Sequence, residues 1–393
     1  MSLKVLMVSG SLPDIRCGIG DYTARLATEL ARRPDVSVTI LTSRHDRVRP
    51  DAAVPAEVVQ VAGWGLGHLV TLVWEIRRRR PDIVHVQYPA VGYGRRLGIV
   101  LLPAAVRFFC RAPVVLTIHE RRERSQMARL AIDLMALSSN LVVTLDPIEA
   151  SDLERALARF SPRVVTGTMI STVPIVPNVD REALRKRLGA SVDDVVVVTF
   201  GLIHPRRRLE DIIDAVHELQ SSSTAVSLWI VGSEAEYDPS VARAYGLSLR
   251  ERARSTGVDR VIQWMDNVDR AEVSAFLQAA DVSVFLYPDG ASGRNTTLQA
   301  AREHGLPVVT TVGIATSDSL RQQPRLLFLR FGEYSTSDLA NAILQAQHLG
   351  VQPPSEALNL REHVDFHLGA YQRLLRRQTP DRGLDLPLES RQR

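Results

Sequence analysis

The sequence predicts an α/β protein built from two Rossmann-like, doubly wound domains facing across a cleft. Three observations carry this. Short continuous apolar runs rich in β-branched residues alternate with stretches of helical periodicity. That is the pattern of parallel strands, buried on both faces and joined by crossover helices. The alternation restarts near residue 195, after Pro174 and Pro177 interrupt regular structure in 171–178. Finally, 393 residues suffice for two domains of ordinary size, each burying its own core.

In chain order, 4–10 is a buried strand by its unbroken apolar pattern, and 21–32 follows as a helix with Tyr22, Leu26 and Leu30 on one face. Strands at 36–43, 83–88, 114–119 and 141–145, with helical stretches among them, complete the first half. The second half opens with a strand at 195–201 and a helix at 209–219, whose apolar face is Leu209, Ile212, Ile213 and Val216. Strands at 226–232, 261–265, 282–287 and 307–312 continue it. A last periodic helix, 363–377, follows the Pro353-Pro354 break. The expected division is therefore 1–172, 173–360, a C-terminal helix within 361–378 and a flexible tail over 379–393.

A hydrophobic fraction of 45% and a charged fraction of 23% place the chain among soluble globular proteins. The two cysteines, Cys17 and Cys110, are too few for a disulfide framework and suit a reducing cytosol, so a cytoplasmic location is expected. Residues 1–4 lead straight into a strand, so no signal peptide is expected. The longest apolar run, 97–109, contains Pro103 and Arg107 and is too short to span a bilayer.

The formal net charge is +4, and only Lys4 and Lys186 are lysines. Arginine forks match phosphate or anionic lipid; a GC-rich coding bias gives the same composition. No nucleic-acid partner is expected. Trp74 beside Arg77, Arg78, Arg79 and Arg80, with apolar 97–109 nearby in sequence, suits peripheral contact with the inner face of the plasma membrane. A buried helix with a solvated arginine end explains the same residues.

Open α/β sheets bind ligands beyond the carboxyl ends of their strands, so four post-strand stretches stand out. In the first, running from Gly10 to Tyr22, Gly18 and Gly20 allow close backbone approach to a ligand, and the helix start offers free N–H groups to an anion. An ordinary βα turn reads the same way, and Thr23 breaks the dinucleotide fingerprint. The second, Thr117-Ile118-His119-Glu120, puts a polar pair at the sheet edge. There His119 can donate to a sugar hydroxyl or a developing oxyanion, or serve only as a cap. The Arg121-Arg122-Glu123-Arg124 run after it reads as a solvated helix start.

In the third, Arg206, Arg207 and Arg208 follow Pro205 after a strand and suit a diphosphate clamp. Cations at a helix start oppose its dipole, so something else must favour them. In the fourth, Tyr287-Pro288-Asp289-Gly290-Ala291-Ser292-Gly293-Arg294-Asn295-Thr296-Thr297 leads into a helix over 298–304, giving amides and hydroxyls to an anion.

Taken together, the ordered stretches resemble the GT-B glycosyltransferases of the large retaining group called family 4, over about residues 4 to 377. The resemblance rests on Gly18-Ile19-Gly20-Asp21-Tyr22, Pro81-Asp82-Ile83-Val84-His85-Val86-Gln87, Thr117-Ile118-His119-Glu120 and Val176-Pro177-Asn178-Val179-Asp180. It continues through Phe200-Gly201 to Arg208-Leu209-Glu210, Ala279-Ala280-Asp281-Val282 and Gly305-Leu306-Pro307-Val308-Val309. It implies transfer of a sugar from a nucleotide-sugar donor to a glycan, lipid-linked or small-molecule acceptor, with retained configuration, no required metal and no cofactor. It also implies an N-terminal acceptor domain, a C-terminal donor domain, and a last helix crossing back to the N-terminal domain.

By the same resemblance Gly18 falls on the loop near the donor phosphates. His119 falls on the histidine near the transferred sugar, with Glu120 where aspartate is usual. Arg207 falls on the lysine at the diphosphate. Leu202 replaces its usual arginine partner, which Arg206 or Arg208 is placed to replace. Two glutamates of the family pattern are replaced by Ser292 and Ala300, with Gln299 one position off and Asp289 three residues early. Loss of a charged ribose contact is worth roughly 1.5–3 kcal/mol. A non-catalytic nucleotide-sugar or glycan-binding partner of an active transferase is the alternative. An epimerase lacks an evident carboxylate acid and base, and a nicotinamide dehydrogenase lacks its glycine fingerprint after any strand.

Overall fold

The computed structural model describes residues 2–13, 18–44, 56–94, 96–122, 124–167, 169–234, 238–355 and 357–378. The expected tail, 379–393, lies outside them, as does Cys17. The chain forms two compact units. One takes residues up to 144, 149–167 and those from 362 onward; the other takes 145–148 and 168–361.

The first unit contains β1 (Leu3–Ser9), α1 (Gly18–Ala31), β2 (Val36–Ser43), β3 (Glu57–Val61), α2 (Leu69–Arg79), β4 (Ile83–Tyr88), α3 (Leu97–Phe109), β5 (Val114–Ile118), α4 (Gln126–Ser138), β6 (Leu141–Thr144), α5 (Pro147–Ala156) and β7 (Val164–Thr166). Its sheet is parallel, in the order β3-β2-β1-β4-β5-β6-β7. The central strands bury both faces. Leu6, Val8, Val84, Val86, Val114 and Leu116 pack against Leu72 and Ile76 of α2, Ile99 and Val106 of α3, and Ile132 and Met135 of α4. Burying each such side chain contributes about 1.5–3 kcal/mol.

The second unit contains α6 (Arg181–Arg187), β8 (Val195–Phe200), α7 (Leu209–Ser221), β9 (Val226–Val231), α8 (Pro239–Ser255), β10 (Ile262–Met265), α9 (Arg270–Ala279), β11 (Val282–Phe285), α10 (Thr296–Glu303), β12 (Val308–Val312), α11 (Asp318–Arg321), β13 (Leu326–Arg330) and α12 (Thr336–His348). Its sheet is also parallel, in the order β10-β9-β8-β11-β12-β13. One face packs under α7 and α12, the other under α9 and α10. Asp281 explains the Ala279-to-Val282 motif. Its carboxylate accepts from Arg181, from Arg185 at 2.6 Å and from the Val196 amide at 2.8 Å, tying α6 to the starts of β8 and β11. The final helix, α13 (Ala357–Gln378), belongs to the first unit from Glu362 onward.

Several elements differ from expectation. The helix expected at 21–32 starts at Gly18, so both glycines lie in its first turn rather than in a loop. The helix expected at 298–304 starts at Thr296 because Asn295 takes the extended N-cap geometry. Strands β3, β7 and β13 were not expected, and all three are poorly buried.

In each sheet the strand order reverses about one strand, β1 in the first unit and β8 in the second. The crevices beside these strands, at their carboxyl ends, are the natural ligand positions of an open α/β sheet.

Candidate functional site

In the second unit, Gly201 follows β8 with φ of +130°, a conformation open to glycine. A Cβ there would lie 2.0 Å from Arg207 Nη2 and 3.4 Å from Thr297 Cγ2. The absent methyl lets the Arg207 guanidinium lie against the backbone. Its Nη2 donates to the Phe200 carbonyl at 3.1 Å, and its Cζ sits 5.5 Å from the Tyr287 ring centroid. Arg207 makes no ion pair among the described residues, so its charge is not cancelled by a carboxylate.

The other two arginines of this loop are committed elsewhere. Arg208 pairs with Asp211 at 2.7 Å and Glu210 at 3.3 Å. Its place as stand-in for the missing cation is therefore filled by acids of its own helix. Arg206 pairs with Asp289 at 3.2 Å, both partners well exposed. Leu202, where the resemblance expects an arginine, is exposed.

Across the β8/β11 switch point, the segment after β11 is built to hold its shape. Gly290 has φ of +83°, and a Cβ would come within 2.2 Å of the Gly313 nitrogen. The Thr311 hydroxyl donates to the Tyr287 carbonyl at 2.7 Å and accepts from the Tyr287 amide at 2.8 Å. The Tyr287 and Thr297 hydroxyls are 2.8 Å apart. This brings Gly201, Arg207, Tyr287 and Thr297 together at the head of α10.

Asn295 does not cap α10 with its side chain. Its Oδ1 instead accepts from the Ser292 amide at 2.7 Å, while the Ser292 hydroxyl accepts from the Arg294 amide at 3.3 Å. First-turn amides of α10 are left without a side-chain cap, and the dipole there favours an anion. Gln299 donates to the Gly293 carbonyl at 3.2 Å and accepts from Arg302 at 2.8 Å, which fixes the loop. Ser292 is buried, and Ala300 is fully buried in the core with Ala291, Leu298 and Leu306.

In the first unit, His119 directly follows β5 and is only 6% exposed. Its Nε2 is 2.9 Å from Gln87 Oε1, and its ring meets the edge of Tyr22 with centroids 4.9 Å apart. Glu120 pairs with Arg124 at 2.6 Å. A Cβ on Gly20 would come within 3.0 Å of the Leu12 backbone, whereas Gly18 is exposed, with none of the described residues within 4 Å of its Cβ position. Gly20 thus serves the close packing of α1 on the backbone before it.

Arg121 is not part of a solvated helix start. It is buried, gripping Asp133 bidentately at 2.7 and 3.0 Å and pairing with Asp152. Desolvation beside two acids needs this full pairing.

The sequence reading assigned no roles to Tyr287, Gln87 or Tyr22. All three lie inside stretches that stand out in the sequence. Tyr287 opens the fourth of them, yet nothing in a single sequence marks its ring as the floor under Arg207.

A family model described as Glycosyltransferase Family 4 matches residues 17–166. One described as Glycosyl transferases group 1 matches residues 194–348. No curated protein matches the sequence. Among solved structures, Anabaena HepE in complex with UDP and glucose is similar, with a TM-score of 0.69 at 16% identity, over 96% of this chain and 99% of that one. A glycosyltransferase from Rickettsia africae gives 0.69 at 13% identity, over 95% and 99%. The catalytic domain of starch synthase IV from Arabidopsis thaliana, bound to ADP and acarbose, gives 0.65 at 13% identity, over 96% and 99%. At these identities the likeness is one of fold.

Proposed function

The chain belongs to the family 4, group 1 glycosyltransferases of GT-B fold, and on that premise we propose that it moves a sugar from a nucleotide-sugar donor to a glycan, lipid-linked or small-molecule acceptor with retained configuration. The observation that carries the donor reading is Arg207. It is unpaired with acid, seated over Tyr287 and made possible by Gly201, beside the uncapped head of α10. A guanidinium and helix-start amides together suit the diphosphate of the donor. The complexes with UDP and with ADP of similarly folded proteins support the same class of ligand.

In the reaction the bond from the anomeric carbon to the phosphate oxygen breaks, and Arg207 with the α10 amides takes up the charge developing on the diphosphate. The acceptor hydroxyl bonds to the anomeric carbon on the same face, and its proton passes to the departing phosphate oxygen. His119 orients the sugar. The carboxylates at the strand ends, Glu120 and Asp289, are held in ion pairs, which suits them poorly to nucleophilic attack. No metal or cofactor has a role in this scheme.

The test is calorimetric titration with UDP, GDP, ADP and dTDP, then turnover of the matching nucleotide sugar with the product anomer read by NMR. Binding lost in Arg207→Ala and a retained anomer are expected. An inverted anomer would overturn the mechanism. The buried Ala300 and the engaged Gln299 favour a second reading, a non-catalytic binding partner of an active transferase. Nucleotide-sugar binding without turnover would select it.

Peripheral contact with an anionic membrane belongs to this proposal. No described helix is long and apolar enough to cross a membrane. Yet α2, α3 and α4 expose Val70, Trp74, Leu101, Phe108, Leu130 and Leu134, with Arg77, Arg78 and Arg80 exposed near the end of α2. Such a surface suits the inner face of a plasma membrane, and hence a cytoplasmic location. Sedimentation with phosphatidylglycerol vesicles, lost in Trp74→Ala/Phe108→Ala, is expected; no sedimentation of the unaltered chain would refute it.

A further inference from the structure

The interior of the first unit holds a polar chain of which the reaction scheme uses only one end, His119. His363, His367 and Tyr371 recur every four residues along α13 and so share one face, and all three are fully buried. The Tyr22 hydroxyl is 2.8 Å from His363 Nε2 and 3.1 Å from His367 Nε2. Tyr371 Oη is 2.6 Å from His85 Nδ1. His85 Nε2 lies 3.0 Å from Gln87 Nε2 and 2.6 Å from the Thr117 hydroxyl. Gln87 Oε1 then reaches His119 Nε2 at 2.9 Å. The path Tyr371–His85–Gln87–His119 is continuous, and no member is more than 6% exposed.

Its chemistry is constrained. A carboxamide has one accepting and one donating end, and Gln87 meets an imidazole Nε2 with each. With its oxygen toward His119, that ring must carry its proton on Nε2. Its NH2 then donates to a bare Nε2 on His85, where the Thr117 hydroxyl also donates. The His85 proton is left on Nδ1, donating to the Tyr371 oxygen. Reversing the amide would reverse both rings, so the two tautomers are opposite and coupled. Burial, reinforced by His119 and His363, holds the His85 pKa down to about 3. A charged ring that donates from both nitrogens is therefore not an alternative near neutral pH.

We propose that Tyr371, His85 and Gln87 are positioning residues that fix His119 in the Nε2–H tautomer. They thereby determine whether the imidazole gives or takes a hydrogen bond at the transferred sugar. The proposal rests on the reading that His119 contacts that sugar. It gives the C-terminal helix a part in the site through Tyr371, three hydrogen bonds away from His119. It also explains why a helix docks here through hydroxyls and imidazoles, where apolar side chains would be the simpler choice.

The test uses the full chain with 15N-labelled histidine. Imidazole nitrogen shifts report each tautomer in the free protein. Turnover is read with whichever of UDP-, GDP-, ADP- and dTDP-glucose gives the largest thermal shift. The unaltered chain should show His119 as a single Nε2–H tautomer. Gln87→Met keeps the bulk and removes both contacts, so it should give a tautomer mixture and lower kcat about tenfold, with the donor KM within twofold. Tyr371→Phe removes one oxygen and keeps the ring; it should shift the His85 tautomer and lower kcat in the same sense. It also keeps the idea falsifiable if Gln87→Met fails to fold. Leu374→Ala loosens the packing of α13 without removing any hydrogen-bonding group of this path and should leave the His119 tautomer unchanged.

An unchanged His119 tautomer in both Gln87→Met and Tyr371→Phe would overturn the proposal. A changed tautomer with unchanged turnover would confirm the positioning and overturn the reading that His119 meets the sugar.

Discussion

Lowering the pH from 7.5 to 4.5 should destabilise the first unit through His85. This imidazole is fully buried, and desolvation, with His119 and His363 adding to it, depresses its pKa from the ordinary 6.5 to about 3. Above pH 6.5 the ring is neutral whether the chain is folded or not, and its contribution to stability is fully present. Between pH 6.5 and 3 the unfolded chain binds a proton that the folded unit refuses. Stability therefore falls as pH falls, by about 1.4 kcal/mol per pH unit. At pH 4.5, two units below the unfolded value, the loss from His85 alone is about 2.7 kcal/mol. His367 acts in the same direction, its pKa lowered by burial and then by His363, His85 and His119.

The groups against the His85 ring are the Tyr371 and Thr117 hydroxyls, the Gln87 amide and the His367 and Tyr371 rings, from β4, β5 and α13, and none of these is a carboxylate that would favour an imidazolium on His85. The assay is urea unfolding at half-unit pH steps, with hydrogen exchange of peptides from β4, β5 and α13 isolating this unit. His85→Gln should show a pH slope shallower by about 1.4 kcal/mol per unit below pH 6. Parallel curves for the two proteins would refute the argument, since they would mean that His85 titrates alike folded and unfolded.

Three further outcomes follow from the second unit. Gly201→Ala drives a methyl into Arg207 and should weaken UDP binding by about ten- to a hundredfold in calorimetry, the worth of one charge-assisted contact; unchanged affinity would remove Arg207 from the diphosphate site. Ala300→Glu restores a family glutamate at a position wholly inside the core, so it should cost about 3 kcal/mol or more by thermal melting. Tighter donor binding at unchanged stability would show instead that the site still accepts an acid there. Arg206→Ala breaks a pair whose side chains are 62% and 43% exposed and should change stability by less than about 1 kcal/mol. A larger loss would mean that the pair braces the loop.

The interior strands were legible because they bury both faces: the expected runs at 4–10, 83–88, 195–201 and 226–232 fall on β1, β4, β8 and β9. Those missed are outermost in their sheets. Glu57–Val61 shows almost no buried position and Leu326–Arg330 none, so neither carries the continuous apolar signal that burial imposes. At the site, glycine positions and the arginine loop were visible, but their wiring was not. Whether an arginine is available to a ligand depends on distant partners. Asp133 and Asp152 claim Arg121, Asp289 claims Arg206, and Asp211 claims Arg208, while a Tyr287 ring and a missing methyl leave Arg207 unclaimed by acid. The coupling of His85 to Tyr371 spans 286 residues, beyond what any local pattern records.

The discontinuity of the first unit sets an order of assembly. Its sheet is written by the first 167 residues, but His363, His367 and Tyr371 arrive only with the last helix. The second unit is almost wholly encoded in one unbroken stretch, from 168 to 361. On a ribosome that releases the chain N-terminus first, the sheet of the first unit must wait with Tyr22 and His85 unanswered while the second unit acquires its full complement of residues. The first domain to begin is the last to finish. A chain halted before residue 362 should leave β1–β7 open to protease while the second unit resists it.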